Sequence, residues 1–254
     1  MSQRFKLTLE YDGGGFSGWQ KQLNHPSVQE ALEIALEKVT GAACSAYAAG
    51  RTDAGVHALG QVAHVDIDKP LDGYTLMKAL NAWLLKVPLV VIKAEPMPET
   101  FHARFSCRAR HYRYRIRNTR SMLALEKDRA WLVHRELDVA AMQVAAERLV
   151  GHHDFSTFRA ITCQASSPLR TLSTATVEVT SLPHAGREIV LDFSAKSFLH
   201  HQVRNMVGSL VSVGWGRWSV EEFQQRFDAK DRTQGGQTAP PEGLYFMGAD
   251  YLDL

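Results

Sequence analysis

The residues Gly50–Ala58, GRTDAGVHA, hold the most concentrated chemistry in the chain. Gly50 and Gly55 have the GxxxxG spacing of a phosphate-cradling loop. Val56 and His57 follow where such a loop needs Lys and Ser or Thr, so that chemistry is excluded. Between the glycines stand Arg51, Thr52 and Asp53. A carboxylate on a tight loop between two strands is expected to be exposed to a cleft rather than packed. The same residue also suits an Asx-turn, in which it accepts bonds from nearby backbone amides.

A second charged residue stands in an apolar setting. SFLHHQVRNMVGSLVSVG, from Ser197, predicts a helix whose Phe198, Val203, Val207, Leu210 and Val211 are core-like, with Arg204 among them. A guanidinium held against a core requires a partner, because an uncompensated buried charge costs several kcal/mol. Asp53 is one such partner, and the pair would keep the acid ionised and oriented. Snorkelling to solvent, or contact with a phosphate, is the alternative.

The third feature is FHARFSCRARHYRYRIRNTR. It carries seven arginines between Arg104 and Arg120 and no acid. On a strand, Arg108, Arg110, Tyr112, Tyr114 and Ile116 share one face, and His111, Arg113, Arg115 and Arg117 share the other. Rings on one face suit base stacking, and cations on both suit phosphates. A solvated sheet with tyrosines packed beneath it is the plainer alternative.

Other polar residues carry less. His152, His153 and Asp154 are adjacent at an expected helix end, a poor arrangement for chelating one ion. His200 and His201 have Arg204 and Asn205 at the helical i+4 positions, so no ligand set forms there. No metal is expected. Cys163 reads as a packed thiol, and Phe16 and Trp19 read as packing residues.

These groups need elements to position them. Phe5 to Tyr11 alternates as a half-buried strand. DGGGFSGWQ is a glycine-rich turn. Ser27 opens a helix with Glu30 in a capping box. Val28, Leu32, Ala35, Leu36 and Val39 form its apolar stripe, and Gly41 sits at its end. Ser45–Ala49 and Gln61–Ile67 read as strands flanking the Asp53 loop. Tyr74–Leu85 reads as a helix, and Leu89–Ala94 as a strand. The resulting β-α-β-β-α-β order is that of a ferredoxin-like or RNA-recognition-type unit.

Past a soft boundary near residue 105, Arg108–Arg117 is an expected strand. Asp138 caps a helix running to Val150 and stopped by Gly151. Thr174–Ser181 and Glu188–Phe193 pair across PHAG. Ser197–Val213 is helical, Ser219 and Glu222 open a short helix with a capping box, and Phe246–Leu252 closes as a strand. The expected class is α+β: two ferredoxin-like halves, 1–105 and 106–254, with a mainly antiparallel sheet and an active-site cleft between them.

The totals set outer limits. The 254 residues are 45% hydrophobic and 22% charged, ordinary for a globular protein with a real core. The net charge is only +2, so the local basic stripe, not the total, points to nucleic acid. No stretch approaches the ~18 apolar residues of a membrane span, and no h-region opens the chain. The 3 cysteines form no CxxC pair, which argues against a disulfide framework or thiolate metal site and suits a reducing cytoplasm.

Together, YDGGGFSGWQ, QEALE, AGRTDAGVHA, FHARFSCRARHYRY, HHDFSTFR, SFLHHQVRNMVG and APPEGLYF resemble the tRNA pseudouridine synthase A family nearly end to end. AGRTDAGVHA is the most specific of these motifs. The resemblance implies a pseudouridine synthase fold and isomerisation of uridine to pseudouridine in the tRNA anticodon stem-loop. It implies that Asp53 is the nucleophile, that Tyr112 stacks on the target uracil, that Arg204 pairs with Asp53, and that Leu244 lines the uracil pocket. It implies a homodimer that binds tRNA and needs no cofactor. Arg51, beside the acid, would fill the space left by the displaced base or hold a phosphate. Arg108 and Arg110 would contact the RNA backbone.

The chemistry suits these residues. The N1–C1′ bond breaks, the base turns, and C5 joins C1′, with no redox change and no net hydrolysis. A carboxylate can add to a cationic sugar centre or stabilise it. Extruding the target base costs a few kcal/mol, which a stacking ring offsets in part. Two rival readings remain at this level. A catalytically silent RNA-binding protein would keep Asp53 as a turn former. A glycosidase or nucleoside hydrolase would need a second carboxylate and would release free base.

Overall fold

The computed structural model describes residues 2–183 and 186–252. Its elements are α+β with a mostly antiparallel sheet, and they gather into two compact units. The first comprises Met1–Arg110 and Tyr245–Leu254, the second His111–Leu244.

The first unit follows the expected β-α-β-β-α-β order. Strand β1 (Gln3–Tyr11) buries Phe5, Leu7, Leu9 and Tyr11 at alternate positions, the period of a strand with one face in the core. Helix α1 (Val28–Thr40) buries Val28, Leu32, Ala35, Leu36 and Val39, the stripe read from the sequence. The Ser27 side chain accepts from the Glu30 amide, and Gly41 ends the helix in the left-handed region at φ 84°. Strands β2 (Tyr47–Ala48) and β3 (His57–Ile67) flank the Asp53 loop. Helix α2 (Gly73–Leu84) packs on β4 (Leu89–Met97), where Asn81 bonds both the amide and the carbonyl of Val91. β1 lies between β3 and β4, antiparallel to both.

The last strand of the chain, β10 (Leu244–Asp250), pairs in parallel with β3, with Tyr245 opposite His57 and Phe246 opposite Ala58. Its residues from Tyr245 onward therefore pack with the first unit, although their place in the chain put them with the second half. A Cβ on Gly60 would lie 2.4 Å from the Met247 carbonyl oxygen, so this approach needs glycine.

In the second unit, β5 (Ala109–Asn118), β9 (Gly186–Ala195), β8 (Leu169–Leu182) and β7 (Gly151–Asp154) are neighbours in that order. β6 (Trp131–Val133) pairs parallel to β5. The β8–β9 pairing is as expected, while two residues of its PHAG connection, His184 and Ala185, lie outside the described residues. Helices α3 (Val139–Glu147), α4 (Gln202–Gly214) and α5 (Val220–Asp228) complete the unit. The α5 capping box is present in both directions.

Two expectations change here. His152 and His153 lie on β7, not at a helix end, and bond Thr171 and the Val150 carbonyl. The helix carrying Arg204 begins at Gln202, not Ser197, because His201 takes a left-handed conformation at φ 60°.

Candidate active site

The Asp53 loop is pinned by residues distant in sequence. The Thr52 carbonyl accepts from the Trp19 amide at 3.0 Å, and the Phe16 carbonyl accepts from Gly55 at 3.3 Å. The Asp53 carbonyl accepts from Val56 at 3.2 Å, closing a turn in which Gly55 has φ 78°. The glycine-rich DGGGFSGW segment is thus the seat of the loop. Gly18 sits at φ 99°, and a Cβ there would meet the Thr52 carbonyl at 2.6 Å. Phe16 and Trp19 are buried, packing in tilted or edge contacts around Tyr11.

The Thr52 side chain and the Gly50 carbonyl are held from below. Tyr11 and Thr52 share a buried hydroxyl–hydroxyl bond of 2.8 Å, and Gln61 donates to the Tyr11 oxygen and to the Gly50 carbonyl. Burial pushes the Tyr11 phenol up to about 12, so it stays a neutral bonding group at physiological pH. His57 accepts the Gly13 amide through Nδ1 and stacks on Tyr245 with ring centroids 4.8 Å apart. Asp53 is half-buried on this base and Arg51 is exposed. Backbone bonds on both sides of Asp53 fix the course of the main chain that carries its carboxylate.

Arg110 departs from expectation. It is buried, and its Nε and Nη2 donate to the Ala49 carbonyl at 2.9 and 2.6 Å. Nη2 also donates to the Arg104 carbonyl. The guanidinium ties the start of the Asp53 loop to the turn before β5, instead of offering itself to phosphate. Arg108 is exposed.

The other face of β5 also departs from expectation. Arg113 is held bidentately by Asp192, and Arg115 by Glu188 and Glu126. Asp192 and Glu188 lie on β9, the neighbouring strand, so those cations are largely neutralised by carboxylates absent from the local sequence. The Asp192 carboxylate raises the Arg113 pKa above its ordinary value. Tyr114 and Ile116 are buried on the opposite face, as the alternation required.

Within the second unit, Tyr112 is half-buried, and its ring meets Phe198 edge-to-face at 5.1 Å and 84°. Arg204 is half-buried in the first turn of α4, where its Nε donates to the Ala239 carbonyl at 2.7 Å. Its own carbonyl accepts the Ala239 amide. That double bond seats the APPEGL segment on α4. Asn205 strengthens the seat by accepting from Thr238 and Arg232 and donating to the Phe158 carbonyl. A Cβ on Gly208 would lie 1.8 Å from the Gln237 carbonyl oxygen. Tyr114 donates to the Pro240 carbonyl, and Leu244 follows, buried, at the start of β10.

Tyr11, Gln61 and Gly18 carry the loop yet had no place among the candidate residues. The density of glycines in YDGGGFSGW was the one signal of a close backbone approach. Hydroxyl partners in the core leave no local pattern.

Comparison with known proteins adds an independent line. A family model described as tRNA pseudouridine synthase matches residues 8–106 and 145–252. The tRNA pseudouridine synthase A of Methylocella silvestris is 52% identical over 248 residues, covering 98% of each chain. That of Bradyrhizobium diazoefficiens is 54% identical over 248 residues, covering 98% of this chain and 99% of the relative.

Proposed function

The chain belongs to the tRNA pseudouridine synthase family, and from that premise we propose that it isomerises uridines of the tRNA anticodon stem-loop with Asp53 as nucleophile. The observation that carries this is the rigid seating of a half-buried carboxylate between backbone anchors at Thr52 and Gly55. A positioned acid needs no redox partner for this reaction, and none is called on.

In the proposed sequence, the target uridine leaves the stack and its uracil lies on Tyr112. The Phe198 ring holds that tyrosine's plane. The Asp53 carboxylate adds to C1′ as the N1–C1′ bond breaks. The freed uracil turns until C5 faces C1′. C5 then bonds C1′ and displaces the Asp53 carboxylate; the C5 proton passes to solvent, and N1, which left C1′ with the bonding pair, takes up a proton in its place. Water must be kept out while the base is detached, or hydrolysis would replace isomerisation. Arg204 is assigned as the partner that keeps Asp53 ionised, Leu244 as a wall of the uracil pocket, and Arg51 as a phosphate or space-filling contact.

Among the described residues, no helix is long and apolar enough to cross a membrane. A cytoplasmic homodimer with tRNA as its partner completes the proposal. The test is nucleoside analysis of unmodified tRNA after incubation. Pseudouridine from wild type and none from Asp53→Asn is the expected result. Free uracil without pseudouridine would show a hydrolase.

A further inference from the structure

The first unit displays aromatic rings that the proposed reaction does not use. Phe105 is 75% exposed and Tyr47 is 53% exposed. His102 lies between them, its ring centroid 4.4 Å from that of Phe105 and 6.2 Å from that of Tyr47. Arg104 extends over the Phe105 ring at 5.7 Å from its centroid.

A ring so exposed is usually carried on a loose loop. Here every backbone amide from His102 to Ser106 is bonded. His102 donates to the Ser106 hydroxyl, and Ser106 to the His102 carbonyl. Arg104 and Phe105 both donate to His102 Nδ1, at 3.1 and 3.3 Å. Ala103 donates to His64 Nδ1, and its carbonyl accepts the Tyr251 hydroxyl. His64 is buried and stacks beneath Tyr47 at 5.1 Å and 21°. Burial lowers the pKa of both histidines, and Nδ1 of each acts as an acceptor, so the imidazoles are neutral rings near pH 7. The turn is rigid, and it holds its apolar ring out to solvent.

We propose that Tyr47, His102 and Phe105, with Arg104, form a stacking platform for unpaired nucleotides of the substrate RNA outside the target uridine. This rests on the tRNA reading above. Stacked neutral rings with a guanidinium at the edge match the faces and phosphates of single-stranded RNA. Arg104 and Arg108, on either side of Phe105 in the chain, are both exposed, which favours a polyanion as the partner. The platform is also mechanically joined to the reactive loop: Arg110 Nη2 holds the Arg104 carbonyl and the Ala49 carbonyl together. A nucleotide seated on Phe105 would therefore be fixed relative to the loop that begins at Gly50.

The experiment measures binding and turnover separately. Binding of an unmodified tRNA transcript is measured for Phe105→Ala, Phe105→Leu and Phe105→Trp, each combined with Asp53→Ala so that no turnover occurs. KM and kcat are measured for the same three changes with Asp53 intact. Phe105→Ala and Phe105→Leu are expected to weaken binding about tenfold and raise KM alike at unchanged kcat, within the cost of one lost base–aromatic stack. Phe105→Trp is expected to bind as wild type does. Because Phe105 is exposed, these changes spare the fold. Equal tRNA binding by Phe105→Ala and the parent overturns the platform, and a sedimentation change in that variant would then assign the rings to a second copy of the chain. Absence of pseudouridine formation by wild type would overturn the reaction instead, while the binding series still judges the platform.

Discussion

The Tyr11 phenol and the Thr52 hydroxyl meet at 2.8 Å in the core of the first unit, one residue before Asp53. A buried hydroxyl pair fixes the rotation of the loop on its strand, because neither group has water to turn to. Tyr11→Phe removes that partner and strands the Thr52 hydroxyl. Stability is expected to fall by about 1–3 kcal/mol in urea unfolding, with kcat lowered and the secondary structure unchanged by circular dichroism.

Gly18 tests the seat itself. Its φ of 99° and the 2.6 Å approach of a Cβ to the Thr52 carbonyl leave no room for a side chain. Gly18→Ala is expected to destabilise by at least about 1 kcal/mol and to cost activity beyond the stability loss. Gly41→Ala, also at positive φ but with open space around the Cβ, is the control: it should lose stability and keep kcat.

The arginines of β5 and its approach should separate by salt dependence. Arg108 is exposed and suited to phosphate, so Arg108→Ala should reduce the slope of log affinity against log salt by about 1. Arg110→Ala should instead lower stability by about 1.5–3 kcal/mol, since it removes charged bonds to two backbone carbonyls. Arg113→Ala should leave the salt slope unchanged, because Asp192 already occupies that guanidinium. Titration of tRNA binding against salt checks all three.

His64 gives the fold a pH dependence. Burial lowers its pKa from 6.5 to about 4, so the unfolded chain binds the proton more readily. Its contribution to stability is full above pH 6.5 and is lost as pH falls toward 4. The unfolding free energy from urea titration is expected to drop between pH 7 and pH 5, by less than about 1.4 kcal/mol per pH unit from this one group. His64→Gln should show a shallower drop over the same range, whatever its absolute stability.

What the sequence made legible was local. The stripe from Val28 to Val39, the Ser219–Glu222 capping box and the alternation of β1 and β5 all depend on neighbours a few residues apart, and each appears where expected. The ends of elements were less legible. β3 starts at His57 because Tyr245, far along the chain, pairs with it there. The β5 arginines looked available because Asp192 and Glu188 lie more than seventy residues away and come beside them only when β9 does. Asp53 stood out by type and loop. Its support, in Tyr11, Gln61 and Gly18, consists of core contacts that no spacing announces.

The most direct test of the central claim is tritium release from C5-tritiated tRNA by wild type and by Asp53→Ala. Wild type is expected to release tritium, as C5 exchanges its hydrogen for C1′, while Asp53→Ala binds the tRNA and releases none. Equal release by both proteins would contradict the assignment of Asp53 as the nucleophile.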